Sequence, residues 1–283
     1  MRSPRAPFSL GPALLFCPGD RPDRFEKAAA RADAVILDLE DAVAPAAKPA
    51  ARRATTGYAF DPGRTVVRIN APPGPDFEAD LVALAGTQVR YLMVPKAERT
   101  DDVEKIVAAL PQVAVVALCE TARGVLAAQD LAAHPAVVAL MWGAEDLIAS
   151  LGGTSSRGPG GTYREVARHA RAQVLLAARA HGRGAIDAIH TDIADDDGLR
   201  DEATDAAASG FTATACIHPG QVPLIRAAYA PTAAEVDWAR RVLAAAAAGR
   251  EAVFEFDGRM VDEPILRHAR LVAGRSTDEE NPA

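Results

Sequence analysis

The chain has 283 residues, 49% of them hydrophobic and 24% charged, which leaves room for one large domain or two ordinary ones and excludes global disorder. The net charge is −7 with a pI near 5.4, and no basic block stands out, so nucleic acid is not an expected partner.

In chain order, residues 13–17 form the first expected strand. This apolar run is too short for a membrane span and is bracketed by prolines, so it reads as a strand and not as a signal peptide. Pro18-Gly19-Asp20 ends it, and Pro22 fits the first turn of a helix capped by Asp20. Residues 35–39 give the second strand, ending in Glu40 and Asp41, with a helix over 46–55. TVVRIN, 65–70, is the third strand; a stiff loop at 72–75 leads to a helix over 77–85. The fourth strand, 91–94, ends at Pro95-Lys96, before an amphipathic helix over 101–110. The fifth, AVVALC, delivers Glu120, Thr121 and Arg123 in quick succession. The sixth, VVALMWG, is joined to it by a helix through Leu131 and is followed by Ala144, Glu145 and Asp146. LGGTSSRGPGGT, 151–162, reads as a mobile loop, ahead of a long helix over 163–181. A seventh strand (185–189), a helix (198–209) and an eighth strand (212–217), ending at His218-Pro219, complete the alternation.

Strand alternating with helix implies a parallel sheet, and about eight units imply a closed (β/α)₈ TIM barrel. Beyond it come a helix over 232–248, short strands about the turn Asp257-Gly258, a helix to about Ala273 and a polar tail, 276–283, expected to fray. The expected organisation is a catalytic barrel over 1–228 and a C-terminal helical extension over 229–283 with a lid segment but no core of its own. Cys17, Cys119 and Cys216 sit in apolar runs and match no zinc spacing; buried reduced thiols suit the cytoplasm.

Nearly every expected strand ends in a polar group: Asp38, Glu40 and Asp41; Arg68 and Asn70; Lys96; Glu120; Glu145 and Asp146; Asp187 and His190; His218. Barrel enzymes carry their active-site groups on that face. Glu120 and Asp146 form a candidate pair for magnesium, which takes one or two protein carboxylates and keeps several waters. The alternatives are a salt bridge to Arg123 or Arg68, or helix capping. Arg68, inside an apolar strand, needs a partner. It either holds a substrate carboxylate with its fork or forms a structural ion pair with Glu40 or Asp38. Lys96 is read as an ion-pair partner and not as a Schiff-base lysine, with Glu98 and Arg99 close by.

The segments LFCPGDRPDRFEKA, VILDLEDAVAPAAK, VVRIN, VPKAE, ETARG, WGAEDL, GFTATACIHPGQ and DGRMVDEP occur in this order. Together they resemble the citrate lyase beta-subunit-like (CitE-like) branch of the HpcH/HpaI aldolase superfamily, which is also similar to the malyl-CoA and citramalyl-CoA lyases. The resemblance spans about 13–270. It implies Mg²⁺ on Glu120 and Asp146, and Arg68 on the keto-acid part. It implies Asp262 as acid/base, supplied by a neighbouring subunit's lid, in a homotrimer or a multiple of one. Ile217, His218 and Pro219 would line the acyl pocket, with Gly143 and Ala144 beside the substrate. Arg21 and Arg24 would contact the CoA phosphates, and Glu40 joins Arg68 and Asp262 as a catalytic candidate. The implied reaction is reversible retro-Claisen cleavage of a 3-hydroxyacyl-CoA. The rivals are a citrate lyase subunit, a thioesterase or malate-synthase-like outcome, and a non-catalytic CoA-binding barrel.

Overall fold

The computed structural model describes residues 8–249 and 253–280. Eight strands alternate with helices: β1 (Ala13–Pro18), α1 (Pro22–Arg31), β2 (Ala34–Asp38), a 3₁₀ turn (Pro45–Ala47) running into α2 (Lys48–Gly57), β3 (Thr65–Arg68), α3 (Pro75–Leu84), β4 (Tyr91–Val94), α4 (Thr100–Ala109) and β5 (Ala114–Cys119). Two short helices follow, α5 (Ala122–Leu126) and α6 (Ala128–Ala133), where one was expected. Then come β6 (Val137–Trp142), α7 (Ala144–Ser150), α8 (Glu165–Ala180), β7 (Gly184–Asp187), α9 (Asp196–Ser209), β8 (Ala213–Cys216) and α10 (Gln221–Tyr229). The strands are parallel and close in sequence order, with β8 returning to pair with β1, so this is a (β/α)₈ TIM barrel.

The apolar runs become strands because both of their faces are covered. Every residue of β2, β4, β5, β6, β7 and β8 is buried. Leu14, Ile36, Val66, Met93, Val116, Leu118, Met141 and Ile186 fill the interior as one cluster. Burying a side chain of this size contributes about 1.5–3 kcal/mol. Phe8 joins the same cluster, and its ring lies where a Cβ on Gly184 would stand, only 2.6 Å from Cδ1. Outside the barrel, Ala167, Ala170, Val174, Ala177 and Ala178 give α8 a buried stripe of small residues.

Side-chain alternation along each strand sets up the site. The row that fills the core with Ile36, Val66 and Leu118 reaches Asp38, Arg68 and Glu120 two residues later, at the C-terminal end of the barrel. One helix start differs from expectation: α1 is preceded by Arg21 in the cap position, and no side chain caps it, so Asp20 does not serve.

From Ala227 onward the described residues form a second compact unit. Helix α11 (Ala233–Ala248) starts in a capping box, Thr232 with Glu235. Strands β9 (Phe254–Phe256) and β10 (Arg259–Val261) pair antiparallel across Asp257 and Gly258, both at positive φ, as a two-residue hairpin turn requires. Helix α12 (Glu263–Glu280) runs past the expected end near Ala273; residues 281–283 of the tail lie outside the described residues. Ala239, Val242, Val261, Ala269 and Val272 pack together with Trp238, Phe254, Phe256 and Leu266. The extension therefore has a small core of its own, contrary to expectation. Spacing hid it, because its apolar residues are divided between two helices and a hairpin. Among the described residues no helix is long and apolar enough to cross a membrane.

Candidate active site

Arg68 is the centre of the charge cluster at the barrel mouth. Its Nε and Nη2 donate to the two oxygens of Asp38 at 2.7 and 2.6 Å. Nη1 stands 3.1 Å from Glu40 Oε2, and Phe16 lies under the guanidinium at 4.9 Å. Burial opposes the charge on Arg68, but the hydrogen bonds and charge of Asp38, with Glu40 behind it, raise its pKa and keep it protonated. The ion-pair alternative thus holds with both partners: Asp38 takes the Nε/Nη2 edge by two hydrogen bonds, and Glu40 stands beside Nη1 without one. The guanidinium also lines a cleft with Phe16, Leu118, Glu120, Met141 and Asp146, so its remaining N–H groups are the ones available to a ligand.

Glu120 follows β5 and is almost fully buried. Its Oε1 accepts the Lys96 backbone N–H at 2.9 Å. Burial, then the charges of Asp146 and Glu40, push its pKa up to about 8, with Lys96 opposing. Gly143, which precedes α7, makes room for it: a Cβ there would lie 2.9 Å from Glu120 Cβ and 3.0 Å from Oε2. Asp146 comes from the first turn of α7 and borders the same cleft.

Lys96 reaches across the mouth. Its ammonium donates to Glu40 Oε1 at 2.6 Å and Asp41 Oδ2 at 3.3 Å. It lies 3.5 Å from Asp146 Oδ1 and 3.9 Å from Glu120 Oε1. The expected ion pair is present, but not with its sequence neighbours: Glu98 accepts from Thr121 at 2.7 Å and faces Arg123, and Arg99 pairs with Asp101. Glu40 is buried, which raises its pKa against the pull of Arg68 and Lys96. It bridges these two cations.

The donor set suits magnesium. The carboxylates of Glu120, Glu145 and Asp146 border one cleft that no His or Cys lines, an all-oxygen donor set. Glu40 Oε2 is buried and makes no hydrogen bond despite the nearby Nη1, so this corner of the mouth keeps unused acceptor capacity.

The other candidates are placed less centrally. Gly143 and Ala144 border the cleft. Ile217 and His218 offer their backbone N–H groups to Gln221 Oε1 at 3.0 and 3.1 Å, while Gln221 Nε2 donates to the His190 carbonyl. This buried glutamine, which fixes the segment ending at Pro219, was not legible from the sequence. The His218 ring is exposed and accepts from Gly220 N. Arg21 and Arg24 are exposed at the start of α1, and Arg21 is paired with Asp23. Asp187 holds the indole of Trp142 at 2.5 Å and the guanidinium of Arg171, and His190 faces Glu202. Asp262, in the second unit, accepts the Ile265 N–H at 3.3 Å and so caps α12.

Two further features escaped the sequence. Lys48, which ends the segment VILDLEDAVAPAAK, donates to the carbonyls of Leu39 and Glu40 and to Asn70, whose amide is in turn held by the buried Asp80. The loop expected to be mobile is tied down: Ser156 donates to Glu145 at 2.6 Å, and Arg157 pairs with Glu202 and stacks on Tyr163 at 3.9 Å.

The sequence profile of the HpcH/HpaI aldolase/citrate lyase family matches residues 13–219. A citrate lyase subunit beta-like protein of Mycobacterium tuberculosis is 56% identical over 274 residues, 96% of this chain and 98% of the relative. A (3S)-malyl-CoA thioesterase of Cereibacter sphaeroides is 36% identical over 274 residues, 94% of this chain and 92% of the relative. The crystal structure of CitE from Mycobacterium tuberculosis with magnesium, acetoacetate and coenzyme A superposes with a TM-score of 0.90 at 55% identity, covering 95% of this chain and 99% of that one.

Proposed function

The chain belongs to the HpcH/HpaI aldolase/citrate lyase family, and from that membership we propose that it is a magnesium-dependent CoA-ester lyase. It cleaves a 3-hydroxyacyl-CoA such as malyl-CoA or citramalyl-CoA, reversibly, into a 2-oxo acid and acetyl-CoA. The observation that carries this reading is the convergence of Glu120, Asp146 and Arg68 on one cleft at the barrel mouth.

Glu120 and Asp146 would hold the ion. What magnesium supplies when bound is Lewis acidity toward the oxygens of the oxo-acid part. Arg68, fixed from behind by Asp38 and Glu40, directs its remaining N–H groups at the distal carboxylate. Phe16, Leu118, Met141 and Ile189 border the same cleft and exclude water. In cleavage the substrate hydroxyl would lose its proton to solvent, its oxygen becomes the carbonyl of the 2-oxo acid as the C–C bond breaks, and the bonding pair passes to the thioester enolate, whose carbon a protonated Asp262 protonates. In the condensation direction Asp262 removes that proton. The same reading takes the protein as a cytoplasmic homotrimer, or a multiple of one, in which the lid carrying Asp262 serves a neighbouring subunit, and Arg21 and Arg24 meet the CoA phosphates. Sedimentation velocity reads the assembly.

The test is a product assay on the purified protein with Mg²⁺, comparing malyl-CoA, citramalyl-CoA and 3-hydroxy-3-methylglutaryl-CoA with and without chelator. Chelator-sensitive release of acetyl-CoA with glyoxylate from malyl-CoA or pyruvate from citramalyl-CoA supports the lyase; release of acetoacetate from 3-hydroxy-3-methylglutaryl-CoA supports a lyase of different substrate. A second reading, hydrolysis of malyl-CoA, is favoured by the 36% identical thioesterase, and predicts free CoA and malate instead. No turnover of any of the three sinks both.

A further inference from the structure

Lys96 has no task in the reaction above, yet its placement is costly to build. β4 ends at Val94, and two residues later the backbone takes a φ of 48°, a left-handed conformation that side chains other than glycine rarely adopt. The Lys96 backbone N–H, donated to Glu120 Oε1, anchors that turn. The turn sends the ammonium among four carboxylates from three separate segments: Glu40 and Asp41 after β2, Glu120 after β5, and Asp146 on α7.

The four are not equivalent. Glu40 and Asp41 accept hydrogen bonds from Nζ, at 2.6 and 3.3 Å. Asp146 and Glu120 stand off at 3.5 and 3.9 Å and share only its charge. The ammonium is therefore held by one carboxylate pair while it neutralises the other, and the second pair comprises the two residues assigned to the divalent ion. The side chain is 32% exposed, so it has room to move.

We propose that Lys96 is a resident competitor of the divalent ion: its ammonium, held by Glu40 and Asp41, places its positive charge against Glu120 and Asp146 until the ion arrives, then swings further from that pair while keeping its bonds to Glu40 and Asp41. The inference rests on the reading that Glu120 and Asp146 are the metal ligands. A fixed positive charge this close to a dication repels it strongly at the effective dielectric of a partly buried site. The lysine thereby keeps the ion weakly held and exchangeable. It also gives a cationic neighbour to a cluster of carboxylates, two of which, Glu40 and Glu120, are buried. This role differs from that of Arg68, whose guanidinium is locked to Asp38 by two hydrogen bonds and cannot withdraw.

Calorimetric titration of Mg²⁺ into the purified protein at about pH 9, where the ligand carboxylates are ionised, tests it without reference to turnover. Lys96→Met should bind Mg²⁺ at least about fivefold more tightly than wild type, and Lys96→Arg, which keeps the charge, should stay within about twofold of it. Unchanged or weaker binding in Lys96→Met, with Glu120→Gln still abolishing binding, overturns the role of Lys96 and leaves the metal site standing. Wild-type affinity in Glu120→Gln would overturn the ligand assignment itself. Should Lys96→Met fail to fold, the wild type answers directly. The NMR signal of the Lys96 ε-methylene, assigned by its absence in Lys96→Arg, should move and saturate as Mg²⁺ is added; a signal that does not move overturns the proposal.

Discussion

Arg68 and Asp38 meet edge to edge, Nε on Oδ1 at 2.7 Å and Nη2 on Oδ2 at 2.6 Å, with the aspartate 0% exposed. Two parallel charge-assisted bonds fix the plane of the guanidinium, and with it the direction of the N–H groups left for a ligand. Asp38→Asn should therefore cost about 3 kcal/mol of stability in denaturant unfolding, because it leaves a buried cation without its full partner. KM for the acyl-CoA should rise as well. A variant as stable as wild type would show that Glu40 alone suffices to hold Arg68.

Metal and proton chemistry should separate cleanly by residue. Glu120→Gln and Asp146→Asn should each abolish the Mg²⁺-induced rise in melting temperature. Asp262→Asn should retain that rise while turnover falls at least about 10²-fold, the scale of a lost acid/base. Normal turnover in Asp262→Asn would remove it from the mechanism.

The stability of the metal-free protein should fall as pH rises. Glu120 ionises near 8 in the folded chain, against about 4.3 when unfolded. Between those values the native state holds a proton that the unfolded chain has lost, so stability declines through that interval and levels off above about pH 8, once the native state loses the proton too. Melting curves from about pH 5 to about pH 9 should show this slope reduced in Glu120→Gln, and Mg²⁺ should stabilise wild type more at the alkaline end. Identical slopes in the two proteins would refute the assignment.

Gly143→Ala tests the close approach behind the carboxylate. The backbone there, φ −129° and ψ 126°, suits alanine, so any effect comes from the new methyl meeting Glu120. A stability loss of about 1–3 kcal/mol is expected, with weakened Mg²⁺ binding as the carboxylate is displaced. Full Mg²⁺ affinity in this variant would mean that Glu120 shifts without consequence.

The barrel was legible because buried parallel strands write themselves as apolar runs, and a polar residue continuing such a run can only surface at the mouth. Asp38, Arg68 and Glu120 follow from that rule. The placement of Lys96 does not, because it depends on a positive φ after Pro95 and on a contact with Glu120, 24 residues on. Nor does Gln221, whose Nε2 reaches the His190 carbonyl 31 residues back while its Oε1 holds Ile217 and His218. Asp262 caps α12 in the structure; its part in the chemistry rests on family resemblance. The loop over 151–162 looked free because its composition is rich in glycine and serine, whereas two residues, Ser156 and Arg157, suffice to fasten it.

The chain has two tryptophans, and each unit contains one. Trp142 is fully buried, hydrogen-bonded to Asp187 and set edge-on against Tyr163 at 5.2 Å, one residue before Gly143. Trp238 stacks obliquely on His268 in the C-terminal unit. A single Trp238→Phe exchange thus converts the barrel into its own optical reporter. Its emission would follow events at the cleft floor in real time, and the complementary Trp142→Phe protein would report on the extension alone.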